Sequence, residues 1–546
     1  MGINNIIAII PAAGKPTNKI MANSNLPDTM IPINGKPVID YIIEDLISRS
    51  IVKVIVILHE DDNHTEKYIT KKFHSKCVLT VIYYKNGGRG SIGCSVSLAR
   101  PYLKNAKGVI IYLGDTIYKG RLIFNNNFLV VSDVYESPEK WCFIEKNDHK
   151  FSFINKPEEY TGKGKILCGL YYFKNSRQLT ASMVFAEKKY HTPELSHILE
   201  KYSKNNTFKL INADRWYDLG NIENFYKARI DLLKLRSFNT INYDDLRGYI
   251  TKSGHNIDKI VQEINWFRKM PNDLKIFSPR LIDYKISPGS ASYSLEFYGY
   301  QSLADFFVLG TLGIKFWQNI IDKLFNILEL FKAHKASISR SHYYTIYYKK
   351  TIERLGQIDS NPYWKKLIAK DTIKINGIDY RNINHFKEKL ARIVDRLYDK
   401  DEVCFIHGDL CLSNILFDPG SGIFKFIDPR GNFGKTSIYG DIKYDIAKMR
   451  HSFCGLYDFI MSDLFELKET GNGMFTLIDN AEDYHRQIGT YFDSQLVSRG
   501  YDLKKIKLIE ALLFLSMIPI HSDNPMRQKA MYLVGIRLIN ENMMVK

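Results

Sequence analysis

The sequence predicts a mixed α/β protein whose first half contains a doubly wound, mostly parallel β-sheet. Apolar segments at 5–10, 52–58, 78–84 and 108–113 are typical of buried strands. Helical stretches such as PVIDYIIEDLIS and SIGCSVSLARPYL alternate with them, and this alternation favours parallel strands covered by helices. The chain has 546 residues, which is more than one hydrophobic core usually holds, so we expect two or three domains.

The composition is that of a globular protein. Hydrophobic residues make up 45% of the chain and charged residues 25%, and no run of eighteen apolar residues is present to span a membrane. The first segment, MGINNIIAIIPAAG, lacks the basic region of a signal peptide, and Ile6 breaks the myristoylation pattern. The 7 cysteines form no C-x-x-C pair, which fits a reducing compartment. We therefore expect a cytoplasmic protein without membrane insertion.

The formal net charge of +17 raises the question of nucleic acid binding. The lysines are spread through the chain, with no basic block and no motif of stacking aromatic residues. We therefore expect no nucleic acid partner. A positive surface also attracts polyphosphates, which fits a nucleotide-binding protein.

Small and acidic residues of the first half follow predicted strands, at the sheet edge where ligands of parallel sheets bind. The segment IIPAAGK ends the first strand with Ala12, Ala13 and Gly14, a loop whose backbone N–H groups can approach a triphosphate. Asp115 follows a strand in YLGDTIY, and Asp218 precedes a helix in DRWYDLGNIENF. A turn cap at Asp115 and a helix N-cap at Asp218 are the simpler alternatives.

A dinucleotide-binding fingerprint offers a competing interpretation. Gly88-x-Gly90-x-x-Gly93 follows a strand, opens a helix and precedes Asp115 by about twenty residues. The pattern belongs to the third strand rather than the first, and it leaves the first-strand loop, INGKPVI, INKP and WYDLG without roles. An NAD-dependent dehydrogenase is therefore the less favoured alternative.

Those segments together resemble the sugar-phosphate nucleotidyltransferase family from about residue 5 to 235. Its members combine a small-residue loop after the first strand, a G-K-P segment, a G-D aspartate, an E-K-P lysine and a W-x-D-[IL]-G aspartate. The resemblance implies that Gly87 and Gly88 lie on the nucleobase side, that Asp115 and Asp218 hold Mg²⁺, and that Lys156 faces the sugar phosphate. The implied reaction is attack of a phosphomonoester on the α-phosphorus of an NTP, with loss of pyrophosphate.

The sequence departs from this family at three positions. Family members carry an Arg after the small-residue loop, a Lys in a P-K pair and the Glu of E-K-P, whereas this chain has Asn18, Asp28 and Asn155. The missing lysine removes a charge that stabilises the transferring phosphoryl group. We expect Lys15 or Lys19 to replace it. The alternative is a domain that binds a nucleotide without turning it over.

The second half contains a candidate phosphoryl-transfer site in FIHGDLCLSNILFDPGSGIFKFIDPRG, residues 405–431. In His407-Gly-Asp409-x-x-x-x-Asn414 the acid and amide lie on one loop after an apolar strand, and Asp428 ends a following strand. Asp409 is placed to accept a proton from a nucleophilic hydroxyl, while Asn414 and Asp428 provide the oxygen ligands that Mg²⁺ prefers. A hairpin with polar turn residues is the simpler alternative.

This segment resembles the aminoglycoside phosphotransferase and choline kinase family, whose catalytic loop reads H-G-D-x-x-x-x-N and whose metal-binding Asp follows in an I-D pair. The segment GDIKYDIAK matches as well, and by resemblance Asp445 braces the catalytic loop. The resemblance implies a bilobal protein-kinase-like fold over residues 239–546. Its small lobe would cover about 239–300 and its large lobe about 301–546, after a nucleotidyltransferase-like domain at 1–238.

The small lobe of such a kinase positions ATP, and candidate residues precede the loop. GYITKSG predicts a strand with Lys252, and NIDKIVQEINWFRKM predicts a helix with Glu263. An ion pair between these residues would aim the lysine at the α- and β-phosphates, although Lys259 is a rival for this role. The segment ASYSLEFYGYQSLADFF predicts a hinge that meets adenine near Glu296.

The two resemblances together predict a bifunctional enzyme. ATP would phosphorylate a small sugar or alcohol, and a second NTP would then donate a nucleotidyl group to the product, as in surface polysaccharide synthesis. Choline or ethanolamine, with a cytidylyltransferase, is the alternative, because the stretch SHYYTIYYKK (341–350) offers aromatic faces to a quaternary amine. Packing between helices is the simpler role for this stretch.

Overall fold

The computed structural model describes residues 5–14, 26–85, 90–135, 137–147, 150–220, 222–234, 239–254, 256–471 and 473–543. The chain divides into two compact units, Met1–Leu232 and Leu233–Lys546. Within the described residues, every helix is too short or too polar to cross a lipid bilayer.

The first unit alternates strands and helices. Its strands are β1 (Ile6–Ala12), β2 (Pro32–Ile33), β3 (Lys36–Pro37), β4 (Lys53–His59), β5 (Val78–Tyr84), β6 (Gly108–Tyr112), β7 (Thr116–Tyr118), β8 (Phe128–Ser132), β9 (Cys142–Asn147), β10 (Lys150–Asn155), β11 (Lys165–Phe173), β12 (Lys209–Asn212) and β13 (Trp216–Asp218). Its helices are α1 (Val38–Ser48), α2 (Asn63–Phe73), α3 (Ile92–Ser97), α4 (Ser176–Lys189), α5 (Leu195–Ser203) and α6 (Ile222–Lys234).

The main sheet of this unit has the order β10-β9-β11-β6-β1-β4-β5, and β8 and β12 extend it from β11. Strands β6, β1, β4 and β5 are parallel, whereas β11 runs antiparallel to β6. Ile7 and Ile9 of β1 belong to a core shared with α3, α4 and α5. Ala8 and Ile10 are also fully buried, so both faces of the strand are covered. The prediction of a mixed α/β fold with a parallel-rich sheet is confirmed.

The second unit begins with strands and becomes largely helical. Its strands are β14 (Asn239–Asp244), β15 (Tyr249–Gly254), β16 (Leu281–Ser287), β17 (Ser290–Glu296), β18 (Gln301–Ser302), β19 (Thr372–Ile375), β20 (Ile378–Arg381), β21 (Val403–Phe405), β22 (Ile415–Asp418), β23 (Ile423–Phe426), β24 (Tyr439–Asp441), β25 (Phe465–Gly471) and β26 (Met474–Asp479). Its helices are α7 (Ile257–Lys269), α8 (Leu303–Val308), α9 (Ile314–Ala333), α10 (Arg340–Tyr343), α11 (Lys350–Ile358), α12 (Pro362–Ile368), α13 (Asn384–Asp395), α14 (Ile442–Phe453), α15 (Tyr457–Met461), α16 (Asp483–Ser498), α17 (Leu503–Met517) and α18 (Pro525–Met543).

The first strands of this unit form an antiparallel sheet of order β14-β15-β17-β16, and α7 packs against it. The side chains of Ile260, Ile264 and Phe267 on α7 are buried, as the helical spacing of the sequence predicts. Further along the chain, β22 and β23 form a hairpin that pairs with β18, and β21 pairs with β24. Every residue of α14 is buried, including the charged residues Asp445 and Lys448.

A π-helical turn, Tyr344–Lys349, joins α10 to α11 within the tyrosine-rich stretch. The rings of Tyr343 and Tyr347 are buried and lie 5.6 and 5.9 Å from the ring of Phe433. Tyr347 also donates a hydrogen bond of 2.9 Å to Asp441 Oδ2. These two tyrosines therefore pack inside the unit and do not form an open aromatic cage for a quaternary amine.

Candidate active sites

Two aspartates of the first unit meet where β6 and β13 end. Thr116, the neighbour of Asp115, pairs with Asp218 in the antiparallel ladder of β7 and β13, and Leu219 N–H donates to Asp115 O at 2.8 Å. A Cβ atom placed on Gly220 would lie 3.4 Å from Asp218 Oδ1 and 3.9 Å from Asp115 Oδ2. The two carboxylates therefore border the same small volume.

The loop after β1 lies beside this pair. Gly114 N–H donates to Pro11 O at 3.2 Å, and a Cβ atom on Gly114 would lie 3.1 Å from Ala12 Cβ. A side chain at position 114 would crowd β1, so glycine favours this close approach of the Asp115 loop. Ala13 is half-buried and Gly14 is exposed, so the predicted phosphate-binding loop continues from the buried strand toward solvent. Four other predicted site residues lie outside the described residues: Lys15, Lys19, Gly87 and Gly88.

The groups around Asp115 have opposite effects on its pKa. Burial raises the pKa of Asp115 above its usual value, and the carboxylate of Asp28 adds to the increase. Lys156 acts in the opposite direction, as does the Thr116 hydroxyl, which donates to Asp115 Oδ1 at 3.3 Å. Lys156 follows β10 with a left-handed φ of 49°. The structure thus places the predicted Lys156 and the unusual Asp28 within electrostatic reach of Asp115.

In the second unit, Lys252 on β15 lies between two carboxylates. Its Nζ is 2.9 Å from Glu263 Oε2 on α7 and 2.8 Å from Asp428 Oδ1. Tyr293 of β17 donates a hydrogen bond of 2.6 Å to the same Glu263 oxygen. Lys259 is 3.8 Å from Glu263 Oε1, and its side chain is 56% exposed. The structure therefore places Lys252, rather than its rival, in direct contact with both acids.

The loop between β21 and β22 is held by a buried acid. His407 N–H and Gly408 N–H donate to the two carboxylate oxygens of Asp445 at 2.6 and 2.7 Å. Gly408 has a φ of 81°, which strongly favours glycine. Burial raises the pKa of Asp445 to about 7, although both N–H donors oppose this increase. Asp445 thus braces the loop through its backbone, as the resemblance implies.

His407 fixes the loop through its ring. Its Nε2 lies 3.0 Å from Ile427 O, and Asp409 N–H points at its Nδ1 from 3.3 Å. These two contacts require a neutral ring that is protonated at Nε2. Burial lowers the pKa of His407 to about 4, in agreement with this tautomer.

Asp409 makes an ion pair that the sequence does not predict. Its Oδ1 is 2.7 Å from Nζ of Lys448, a buried residue of α14. Burial works to raise the pKa of Asp409, but the Lys448 ammonium and its hydrogen bond, together with His407 and Arg430, outweigh burial and bring this pKa below the usual range. Asn414 Nδ2 donates to Asp409 O at 2.9 Å, which turns the amide oxygen of Asn414 away from that carbonyl. Asp409 is therefore an ionised carboxylate at neutral pH.

The predicted hinge connects β17 to α8. Glu296 ends β17, and its N–H donates to Arg280 O at 3.0 Å, while Phe297 N–H donates to Gly248 O at 2.9 Å. The Glu296 side chain accepts a hydrogen bond of 3.1 Å from Tyr298 OH. Residues 298–300, between Phe297 and the start of β18, belong to no strand.

The donor atoms at both sites fit Mg²⁺. Across the described ranges, no three or more His, Cys, Asp or Glu side chains are grouped to hold a metal ion. Each site instead offers two oxygen-bearing side chains, Asp115 with Asp218 and Asn414 with Asp428. Mg²⁺ is usually held by one or two carboxylates and completes its shell with water and substrate phosphates, so two protein ligands are sufficient.

Comparison with known proteins bears on the first unit. Residues 8–234 match the family model of nucleotidyl transferases. This match confirms the resemblance predicted for the first half. The match also argues against a dehydrogenase. In the sheet, β1 and β4 separate β5, the strand before the glycine pattern, from β6, the strand before Asp115, so Asp115 does not follow a neighbouring strand as the acid of that fingerprint does. A Cβ atom on Gly93 would overlap Pro193 O, so close packing explains this glycine of the fingerprint.

Individual relatives are similar over short stretches. A UTP–glucose-1-phosphate uridylyltransferase of Klebsiella pneumoniae is 28% identical over 79 residues, which are 14% of this chain and 26% of that protein. The bifunctional protein GlmU of Methanococcus vannielii is 28% identical over 177 residues, 31% of this chain and 41% of that protein. This chain thus spans less than half of either relative. The structure of the inositol-1-phosphate CTP transferase from T. maritima aligns with 43% of this chain and 98% of its own, at 14% identity and a TM-score of 0.35.

Proposed function

We propose that the protein is a bifunctional enzyme. The second unit transfers the γ-phosphoryl group of ATP to a small sugar or alcohol, and the first unit joins that phosphate to a nucleotide from a second NTP. The order follows from the chemistry, because the nucleotidyl transfer needs a phosphomonoester as its nucleophile. An NDP-activated product of this kind suits surface polysaccharide synthesis.

The paired carboxylates of Asp115 and Asp218 carry the nucleotidyltransferase part of the proposal, together with the family match. Bound Mg²⁺ at this pair would neutralise charge on the α-phosphate. Lys156 would balance the charge of a sugar phosphate, and the Ala12–Gly14 loop would offer backbone N–H groups to the triphosphate. Lys15 and Lys19 are the proposed replacements for the lysine that Asp28 displaces.

The contact of Lys252 with both Glu263 and Asp428 carries the kinase part. Glu263 holds the lysine in place, so that its ammonium group is available to ATP phosphates close to the metal-binding Asp428. Asp409 lies on the loop braced by Asp445 and His407. Because it is ionised, it can accept the proton of an attacking hydroxyl. Glu296 ends the strand that leads into the adenine-binding hinge.

A second candidate function follows from Asp28. Its carboxylate adds negative charge beside Asp115, where nucleotidyltransferases normally place a lysine, and this charge opposes an approaching triphosphate. The first unit would then bind a nucleotide without releasing pyrophosphate. No comparable observation favours choline or ethanolamine, since the buried tyrosines of the 341–350 stretch pack within the unit.

The decisive experiment is mass detection of products from the full-length protein. The protein is mixed with Mg²⁺, ATP, each NTP in turn and a panel of sugars and alcohols. We expect a phosphorylated acceptor with ATP alone, and an NDP-linked product with pyrophosphate when the correct NTP is added. A phosphorylated acceptor with no pyrophosphate from any NTP would support the second candidate. No phosphorylated product with any acceptor would exclude the kinase.

A further inference from the structure

Four cationic side chains converge beside Asp409, and three of them have no role in the chemistry proposed so far. Lys350 and Arg354 lie one turn apart on α11, Arg430 follows β23, and Lys448 is on α14. Tyr444, also on α14, joins them: its hydroxyl is 3.1 Å from Lys350 Nζ and 2.7 Å from Arg430 Nη1. We call these four side chains the cation cluster.

Among the residues that the structure describes, Lys448 is the one member of the cation cluster with an acidic partner. Lys448 pairs with Asp409 at 2.7 Å. In the part of the chain that the structure describes, Lys350, Arg354 and Arg430 have no carboxylate within the 4.0 Å of an ion pair. Arg354 donates to a backbone carbonyl, Ser516 O, at 2.9 Å. Among the described residues, these three half-buried cations therefore have no carboxylate in contact, and nearby Asp409 is already paired with Lys448.

This arrangement is unfavourable without a ligand. Like charges one helical turn apart repel each other, and half-burial removes part of the water that would screen them. Burial and the charges of Arg430, Arg354 and Lys448 bring the pKa of Lys350 well below its usual value. A bound anion would relieve this repulsion. Strain of this kind is common where a binding site has been selected for function rather than stability.

The cation cluster reaches from α11 and α14 to α17. Arg354 donates to Ser516 O, and Lys448 Nζ is 3.8 Å from Met517 Sδ. The proposed ATP-binding residues Lys252, Glu263 and Asp428 instead contact one another. A π-helical turn also precedes Lys350 directly, and such turns are frequent at functional sites.

We propose that the acceptor of the kinase carries an anionic group, a carboxylate or a phosphate, which Lys350, Arg354 and Arg430 bind. This inference rests on the kinase function proposed above and specifies its substrate class. The acceptor hydroxyl faces Asp409, its oxygen forms a bond to the γ-phosphorus, and the bond from that phosphorus to the departing ADP oxygen breaks. The hydroxyl proton goes to Asp409. A cationic acceptor such as choline would be repelled by the same residues.

The test uses the full-length protein with Mg²⁺, ATP and matched acceptors. Glycerate is compared with glycerol, glucuronate with glucose, and glucose 6-phosphate with glucose, so that the carboxylate and phosphate arms are separate. Choline serves as the cationic arm. We expect at least one anionic acceptor to exceed its neutral partner by tenfold or more in kcat/KM, measured as ADP release and product mass.

Variants then connect this preference to the cation cluster. Lys350→Met and Arg354→Met keep the aliphatic stems and remove the charges. Each should raise KM for the anionic acceptor at least tenfold, with a smaller change in kcat, and should reduce the preference over the neutral partner. Melting temperature should be unchanged or higher, since repulsion is removed. Lys349→Met is the matched control, because Lys349 is exposed and adjacent, and it should behave as wild type.

The outcomes separate the two proposals. Equal or better phosphorylation of neutral or cationic acceptors overturns the anionic acceptor while the kinase stands. The anionic acceptor is overturned as well if it is preferred but neither charge-removing variant weakens the preference. If none of the acceptors is phosphorylated, the kinase proposal fails and this inference fails with it.

Discussion

The Nζ atom of Lys252 lies 2.8 Å from Asp428 Oδ1, although 176 positions separate the two residues in the sequence. Lys252 Nζ is also 2.9 Å from Glu263 Oε2, so its charge joins the acid of α7 to the acid proposed to bind the metal. Replacement by methionine should therefore lower kinase kcat/KM for ATP at least 100-fold. ADP formation at varied ATP concentration measures this effect, and Lys259→Met, at the exposed rival position, should stay within threefold of wild type.

The same replacement should also reduce stability, because buried Glu263 would keep only the exposed Lys259, 3.8 Å from its Oε1, as a cation. Breaking a buried pair in this way typically costs about 3–5 kcal/mol. Urea unfolding of Lys252→Met and of the double variant Lys252→Met/Glu263→Gln provides the measurement. We expect the second change to restore most of the loss. A double variant as unstable as the single one would show that the charge of Glu263 is not the cause.

Asp409→Asn should abolish phosphoryl transfer from ATP by several orders of magnitude. The change preserves the shape of the side chain but removes the base and its attraction for Lys448. Circular dichroism should show a folded chain. Asp371→Asn, at an exposed position of the same unit, is the control. A kinase rate within tenfold of wild type would rule out Asp409 as the base.

Asp115→Ala and Asp218→Ala should each abolish pyrophosphate release from an NTP and the phosphorylated acceptor. The two carboxylates border one volume, and neither is expected to hold Mg²⁺ without the other. Both variants should retain kinase activity, which belongs to the other unit. Loss of both activities would indicate that the variant is misfolded. A melting curve like that of wild type would show that each variant is folded.

Removal of the candidate replacement cations should slow the nucleotidyltransferase. Lys15→Ala or Lys19→Ala should lower turnover at least tenfold, because one of them must balance the triphosphate charge beside Asp28. Conversely, Asp28→Asn should raise turnover, since it removes a negative charge near Asp115. Pyrophosphate release at saturating NTP is the readout. If both lysine variants turn over normally, another group must supply the missing charge.

The protonation of His407 should make stability depend on pH. Its pKa is about 4 in the folded protein and about 6.5 in the unfolded chain, so the unfolded chain takes up the proton first as pH falls. Stability is therefore lost between pH 6.5 and 4, by about 3 kcal/mol, and is complete above pH 6.5. His407→Asn lacks this loss. Urea unfolding at pH 7 and 4.5 measures this effect. The difference in free energy of unfolding between wild type and His407→Asn should be smaller at the lower pH.

Much of the fold follows from local sequence patterns. The continuous apolar run of β1 and the helical spacing of Ile260, Ile264 and Phe267 each identify an element without knowledge of its neighbours. Motif spacing likewise selects Asp409 and Asp428, which lie close together in the chain, whereas Asp115 and Asp218 lie in distant segments and are paired by the family resemblance.

The cation cluster could not be predicted in this way. Lys350, Arg430 and Lys448 come from three separate elements, and only tertiary packing brings them to Asp409. An isolated lysine in a chain with 76 Lys and Arg residues carries no local signal. Lys448 has the strongest clue, since it follows Asp445 by three positions and therefore shares a face of α14 with it.

The π-helical turn Tyr344–Lys349 directly precedes the charges of α11. Successive α-helical residues are rotated by about 100°, and a π-helical turn accommodates one extra residue without breaking the helix. Because the turn absorbs the extra residue, deleting one residue from it would leave a regular α-helix in which Lys350 and Arg354 keep their orientation, whereas a residue inserted within α11 would rotate every later residue by about 100°. The proposed acceptor site therefore tolerates a change of one residue in the length of the tyrosine-rich segment. It does not tolerate the same change between Lys350 and Arg354.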